Sequence, residues 1–199
     1  MVWTKNLRPA GFPELLGQDF LLAGYRVFTR VREQSGRGLR GLKIIRSETD
    51  KRRMVWAGNI LTAYNYRHVR ARVTESDSEM TVETFLADGT RTVLLTFGRP
   101  GDAVALPAGS PFADWHTARL FSGPMPFTFS PRSDGRFVVI EGTRETWTPK
   151  PVPVKNWQVG LFEEEPLRGN TPLLANAFAV ADVNYRWERG RIVTPGRSL

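Results

Sequence analysis

Arg119 is the side chain in this sequence whose type and spacing best suit the binding of a small anion. Phe112, Trp115 and His116 precede it at helical intervals, which places all four on one side of a predicted helix. If the aromatic groups pack inward, the Arg119 guanidinium points away from bulk solvent and must meet an anion or several acceptors. A planar guanidinium binds a carboxylate through two parallel hydrogen bonds, so we expect a carboxylate ligand there.

Two carboxylates, Glu83 and Glu141, lie on predicted strands and could serve Arg119 in two ways. Either of them could form an internal salt bridge with Arg119, which would make the arginine structural. One of them could instead be a general base beside Arg119 as an electrostatic clamp, the arrangement of a lyase or isomerase. The sequence leaves both interpretations open and assigns no catalytic residue.

Other catalytic and metal chemistries find no matching motif. The chain has no cysteine, which excludes a thiol nucleophile, an iron–sulfur cluster and a disulfide framework. Its two histidines, His68 and His116, lie in elements of different type, with no H-x-H or H-x-x-x-H spacing. No Gly-x-Ser-x-Gly elbow occurs. We therefore expect no metal site and no cofactor.

Basic residues outnumber acidic ones, and the excess lies in the first half of the chain. The net charge is +8, and residues 1–99 alone carry a balance of +7. Such a basic face attracts phosphates or anionic metabolites, but no RNP-type aromatic motif or helix-turn-helix pattern accompanies it. We therefore predict a solvated basic face and no specific nucleic-acid partner. The lack of a signal peptide and of an apolar span of about 20 residues predicts a cytoplasmic protein with no membrane partner.

Alternation with period two predicts that strands carry most of these groups. Five predicted strands are Gly24–Arg32, Leu39–Arg46, Thr62–Val73, Val152–Leu161 and Asn176–Glu188. The clearest hairpin joins 79–87 to 91–97 through Asp88-Gly89, a dipeptide typical of tight turns. A second hairpin joins 126–130 to 136–145.

One segment, Ser110–Ser122, carries complete helix punctuation. Ser110 suits the N-cap, Pro111 suits the first helical position, and Gly123-Pro124 ends the element. A weaker helical turn runs from Asp50 to Asn59. Many strands with one principal helix near residues 110–122 predict a mainly β fold, built as a curled antiparallel sheet or half-open barrel. The chain, residues 1–199, is predicted to be a single domain whose interior could hold a small ligand.

Several segments resemble one bacterial family of uncharacterised proteins within the acetoacetate-decarboxylase-like superfamily. They are Gly41–Ser47, Gly58–Tyr64, Leu106–Phe112, Ala118–Pro124, Glu141–Pro149 and Asn184–Gly190. These motifs are specific in combination and together span most of residues 20–190. The resemblance implies a cone-like β-barrel around an internal cavity, which agrees with the strand-rich prediction.

The resemblance does not extend to the lysine of the true decarboxylases. Their segment Arg-Glu-x-x-Gly-x-Pro-Lys-Lys supplies a lysine that forms a Schiff base with the keto acid, and a neighbouring cation lowers its pKa. The matching run here continues from Arg119 to Met125-Pro126-Phe127 without an amine, and no lysine lies between Lys51 and Lys150. We therefore expect no decarboxylation through an imine.

The remaining candidate ligand-binding residues are Tyr64, Tyr66, Asn59 and Arg144. Tyr64 and Tyr66 take the place of a tyrosine-x-glutamate pattern in the decarboxylases, which removes a carboxylate. Asn59 could orient a ligand carbonyl, or it could have a turn or capping role. Arg144 could instead form a structural cation–π pair with Trp147.

The leading hypothesis from the sequence is a protein that binds a small anionic or carbonyl-bearing molecule in a pocket. Two alternatives stay open, a lyase or isomerase with a carboxylate base and a structural or interaction module without a ligand. A homo-oligomer is compatible with all three.

Overall fold

The computed structural model describes residues 1–8, 12–121, 123 and 125–196 of the chain. Its internal contacts form two units, each discontinuous in sequence. Unit 1 comprises the described residues of Met1–Val69, Pro124–Thr143 and Tyr185–Leu199, and unit 2 those of Arg70–Gly123 and Arg144–Asn184. The single domain stays a prediction.

Strands dominate the described residues, as the sequence predicts. In chain order the strands are β1 (Val2–Leu7), β2 (Gln18–Arg32), β3 (Gly38–Thr49), β4 (Tyr66–His68), β5 (Arg70–Glu75), β6 (Glu79–Phe85), β7 (Arg91–Gly98), β8 (Phe127–Pro131), β9 (Phe137–Arg144), β10 (Lys150–Pro151), β11 (Val154–Val159), β12 (Phe178–Ala179), β13 (Tyr185–Trp187) and β14 (Arg191–Val193). The helices are α1 (Arg52–Leu61) and α2 (Trp115–Arg119), with 3₁₀ turns at Glu14–Leu16 and Gly160–Glu163. The predicted mainly β fold is confirmed, and it includes a strongly curled, half-barrel sheet.

Unit 1 is built on a sheet with the order β1-β2-β3-β8-β9-β13, in which β4 also pairs with β3 and β14 with β9. Most neighbours are antiparallel, but β3 pairs in parallel with β8 through residues 41–43 and with β4 through residues 47–49. The sheet is thus mainly antiparallel, with two parallel pairs. For β3 and β4 the reason is local, because α1 is the crossover that a parallel pair of successive strands requires.

The longer of the two α-helices is α1, where the sequence predicts only a weak helical turn. Met54 and Val55 pack against a buried cluster of unit 1 that includes Phe20 and Ile44. Gly58 lies against Tyr66, since a Cβ at Gly58 would approach the Tyr66 ring to within 2.3 Å. This tertiary packing, rather than helix propensity, accounts for α1. The prediction that the principal helix lies near residues 110–122 is therefore wrong, because α1 is longer than α2.

In unit 2, α2 begins five residues later than predicted. Asp114 is its N-cap and accepts a hydrogen bond from the Thr117 amide at 2.7 Å. Ser110 does accept from the Phe112 amide at 3.3 Å, but its hydroxyl also donates to the Ala175 carbonyl at 2.6 Å. Ser110 thus ties a turn to a distant segment instead of starting a helix. Ser122 and Pro124, at the predicted helix end, lie outside the described residues.

Unit 2 contains a four-stranded antiparallel sheet with the order β11-β7-β6-β5. The predicted hairpin through Asp88-Gly89 joins β6 to β7, and the Asp88 carboxylate accepts from the Thr90 amide at 2.9 Å. The predicted strand Thr62–Val73 is wrong as one element, because β4 and β5 belong to different sheets. No helix of the described residues is long and apolar enough to cross a membrane.

Candidate functional site

Tyr64 and Tyr66 of unit 1 are both almost completely buried. They follow α1 in a segment where Ala63 and Asn65 adopt left-handed backbone, with φ of 56° and 52°. Asparagine tolerates that conformation, whereas alanine adopts it at a cost of about 1–2 kcal/mol. Ala63 and Asn65 alternate with the two tyrosines along the chain. We infer that the backbone strain is retained because it directs both tyrosine rings inward.

A hydroxyl chain fixes the position of Tyr64. Its phenol forms a short hydrogen bond with the Thr128 hydroxyl of β8, which also donates to the Ile140 carbonyl at 3.3 Å. Because the single Thr128 proton is directed to Ile140, Tyr64 is the donor of the shared bond.

Aromatic rings extend from Tyr66 to strand β13 of this unit. The Tyr64 and Tyr66 ring centroids are 6.1 Å apart and stacked, and Trp187 meets Tyr64 edge-on at 6.2 Å. Tyr185 meets Trp187 in turn at 5.7 Å. We call Tyr64, Tyr66, Tyr185 and Trp187 the aromatic row. Tyr64 and Tyr66 are buried, whereas Tyr185 at the outer end is 39% exposed, so the row runs from the interior of the unit toward its surface.

Burial keeps the inner tyrosines neutral. It raises the pKa of Tyr66 from 10.0 to about 12, and it raises the pKa of Tyr64 as well. The positive charge of Arg26 on β2 acts on both phenols in the opposite direction. The Arg26 guanidinium packs over Gly24, where a Cβ would lie 2.9 Å from Nε and Nη2. The Tyr66 hydroxyl, as a neutral donor, and the Arg26 cation can together bind a carbonyl or carboxylate oxygen, but the phenols cannot act as bases at neutral pH.

Asn59 of α1 joins this site through the backbone of Tyr66. Its side-chain Oδ1 accepts from the Tyr66 amide at 2.6 Å, and its Nδ2 donates to the Tyr66 carbonyl at 3.1 Å. These reciprocal bonds favour the capping alternative over direct contact with a ligand.

A buried ion pair that the sequence analysis missed holds the same region. Glu48 of β3 is 0% exposed and lies directly opposite Arg67 of β4, with which it forms a short salt bridge. The Tyr25 phenol donates to the other Glu48 oxygen at 3.0 Å. Burial, and then the Glu48 charge, raise the pKa of Tyr25. The sequence signal was faint, since Glu48 lies just beyond the predicted end of its strand.

In unit 2, Glu83 lies among arginines other than the predicted partner. It forms ion pairs with Arg72 at 3.8 Å and with Arg91 at 3.4 Å. Arg91 also donates to Gln158 at 2.8 Å and lines an open cavity of about 460 Å³ that includes Glu163. These two ion pairs give Glu83 structural partners, and its role as a base stays a prediction.

Of the other predicted residues, Glu141 belongs to unit 1, and Arg119 and Arg144 belong to unit 2. Arg144 lies over the Trp147 ring at 5.4 Å, as the structural alternative predicts. Glu141 is exposed on β9 opposite Phe127. Arg119 is exposed on α2, which contradicts its expected direction away from bulk solvent. Its role in binding stays a prediction. In the described ranges, no group of three or more potential ligands could hold a metal ion.

A model of the DUF2071 family, described as an uncharacterized conserved protein, matches residues 2–181. A comparison with curated proteins gives no match.

Two solved structures are similar to the chain. Acetoacetate decarboxylase from Legionella pneumophila is 14% identical, with a TM-score of 0.50 over 92% of this chain and 68% of that one. A second acetoacetate decarboxylase structure is 14% identical, with a TM-score of 0.45 over 90% of this chain and 67% of that one. The Legionella structure confirms the predicted acetoacetate-decarboxylase-like fold, and at this identity it shows the fold alone.

Proposed function

The chain belongs to the DUF2071 family of uncharacterised conserved proteins, and on that premise we propose that it binds a small molecule with a carbonyl or carboxylate group. The proposal excludes chemistry through a Schiff base. One observation carries it: the buried Tyr66 phenol is a neutral hydroxyl donor, and the positive charge of Arg26 acts on it.

These groups support recognition of oxygen rather than proton abstraction. A neutral phenol donates one hydrogen bond, and a guanidinium donates up to five without losing its charge. Together they match the oxygens of a keto acid, while the rings of the aromatic row offer surface to its carbon skeleton. The structurally similar Legionella protein is an acetoacetate decarboxylase, and acetoacetate is such an acid. This structural similarity supports the choice of keto acids as the ligand class.

The positions of the lysines support the exclusion of an imine. All five, Lys5, Lys43, Lys51, Lys150 and Lys155, are exposed. An imine-forming lysine must be a free amine at neutral pH, which desolvation or a neighbouring cation brings about by lowering its pKa. An exposed lysine remains in contact with water and is therefore not desolvated.

Calorimetric titration with acetoacetate, pyruvate and acetate tests the binding proposal. We expect at least one to bind the wild type, and Tyr66→Phe or Arg26→Gln to weaken binding roughly tenfold, the value of one charge-assisted hydrogen bond. Arg53→Gln is the matched control, because it removes an exposed arginine from α1 in the same unit. If no compound binds, or if Tyr66→Phe and Arg26→Gln bind as well as Arg53→Gln does, the proposal fails.

Borohydride reduction in the presence of acetoacetate tests the chemistry separately. We expect intact-mass spectrometry to find no adduct on any lysine. A stoichiometric adduct on one lysine would refute the exclusion of an imine and leave the binding proposal to its own test.

A further inference from the structure

Three exposed arginines converge on one face of the β2–β3 hairpin in unit 1. Arg30 of β2 lies directly opposite Arg40 of β3, and Arg32 lies two residues beyond Arg30. Directly opposed side chains leave the same face of a sheet with Cβ atoms about 5 Å apart. Residues i and i+2 share a face about 7 Å apart. We call Arg30, Arg32 and Arg40 the arginine face.

The arginine face is a concentration of charge that the fold does not neutralise. Among the described residues, no carboxylate forms an ion pair with any of the three. Glu33, the acidic residue that follows β2, pairs with Arg191 at 2.7 Å. Like charges directly opposite each other on a sheet destabilise it. An opposed Arg30–Arg40 pair is therefore a cost to the free protein that an anion would remove.

We propose that the arginine face binds a compact, phosphate-bearing anion of the polyphosphate class. A guanidinium binds phosphate through two parallel hydrogen bonds, and three arginines at neighbouring positions on one face of the sheet suit adjoining phosphate groups. The compactness of the cluster favours a short polyphosphate over the extended backbone of a nucleic acid, which needs a longer track of cations. This site uses none of the residues assigned above to the carbonyl ligand.

Calorimetric titration with sodium tripolyphosphate tests the proposal on the full chain. We expect Arg30→Gln/Arg40→Gln to weaken binding roughly tenfold or more. Arg52→Gln/Arg53→Gln removes the same charge from exposed positions on α1 and should bind as the wild type does. Without ligand, we expect the Arg30→Gln/Arg40→Gln variant to melt no lower than the wild type, because the opposed pair is gone. Arg32→Gln leaves that pair in place and provides a second, independent loss of affinity.

Three results would overturn the proposal. The first is a wild type that does not bind tripolyphosphate, or binds it no better than sulfate at equal ionic strength. The second is equal affinity of the arginine-face variants and the α1 control. The third is tighter binding of a short oligothymidylate than of tripolyphosphate at equal phosphate concentration, which would assign the face to nucleic acid. Loss of carboxylate binding in the Tyr66→Phe variant with tripolyphosphate binding intact would separate the two sites.

Discussion

Replacement of Arg67 by methionine should destabilise the protein strongly, because it leaves Glu48 as a buried charge without its cation. Glu48 is 0% exposed, whereas the Arg67 side chain is 29% exposed. Breaking a buried ion pair by removing one partner costs about 3–5 kcal/mol. The Tyr25 phenol still donates to Glu48 at 3.0 Å after the change, so we expect the lower end of that range.

Urea unfolding of a double-mutant cycle measures this cost. Glu48→Gln should cost less than Arg67→Met, because the partly exposed guanidinium can turn to water. The double variant Glu48→Gln/Arg67→Met should be more stable than Arg67→Met alone, since no charge is then buried. Arg72→Met is the control. It breaks a pair in which the Arg72 side chain is 70% exposed, and it should cost less than about 1 kcal/mol.

Two outcomes would refute this reasoning. One is a cost for Arg67→Met below that of Arg72→Met. The other is a double variant no more stable than the single one. Either would mean that Glu48 is stabilised without Arg67, and that β4 does not depend on this pair.

Three further predictions concern the segment that carries the inner tyrosines. Ala63→Gly should stabilise the fold by up to about 1 kcal/mol, because glycine adopts the left-handed φ of 56° without strain, and a lower melting temperature would contradict it. Asn59→Ala should cost about 1 kcal/mol by removing both bonds to the Tyr66 backbone, while Asn59→Asp keeps the acceptor and should cost less, and equal urea midpoints would contradict this. Folding raises the pKa of Tyr66 from 10.0 to about 12, so its neutral form stabilises the fold below pH 10.0 and that contribution is lost as the pH rises through about 12. Tyr66→Phe should therefore flatten the decline of the unfolding free energy across that range, and an unchanged slope would contradict the assignment.

Local signals in the sequence predicted the fold best. The hairpin through Asp88-Gly89 was correct because the turn chemistry and the flanking alternation lie within a few residues of each other. The predicted strand Thr62–Val73 failed because the two sheets divide at Val69, whose amide bonds to the Thr49 carbonyl at 2.9 Å. Alternation with period two does not show whether the alternating residues belong to one sheet or to two.

The candidate site was predictable only in part. Tyr64 and Tyr66 came from the family resemblance, but Thr128 reaches Tyr64 because β8 pairs with β3, far away in the chain. The effect of the Arg26 charge on both phenols likewise depends on the fold. Nothing in the sequence distinguishes Glu48 from a surface carboxylate, and its burial is seen only in the structure. Arg119 was placed by helical spacing over a segment in which only residues 115–119 are helical, so the expected direction of its side chain did not follow.

The composition of unit 1 from three chain segments has a consequence for synthesis on the ribosome. β3 pairs with β8, although Gly41 and its partner Phe127 are far apart in sequence, and β9 pairs with β13 and β14, which follow unit 2 in the chain. Such non-local pairing slows folding, so residues 41–43 of β3 must wait without their partner strand while unit 2 emerges. An unpaired strand edge is a template for association with other chains. A nascent chain that stalls before Tyr185 should therefore aggregate or depend on chaperones, even though most of its strands have already been made.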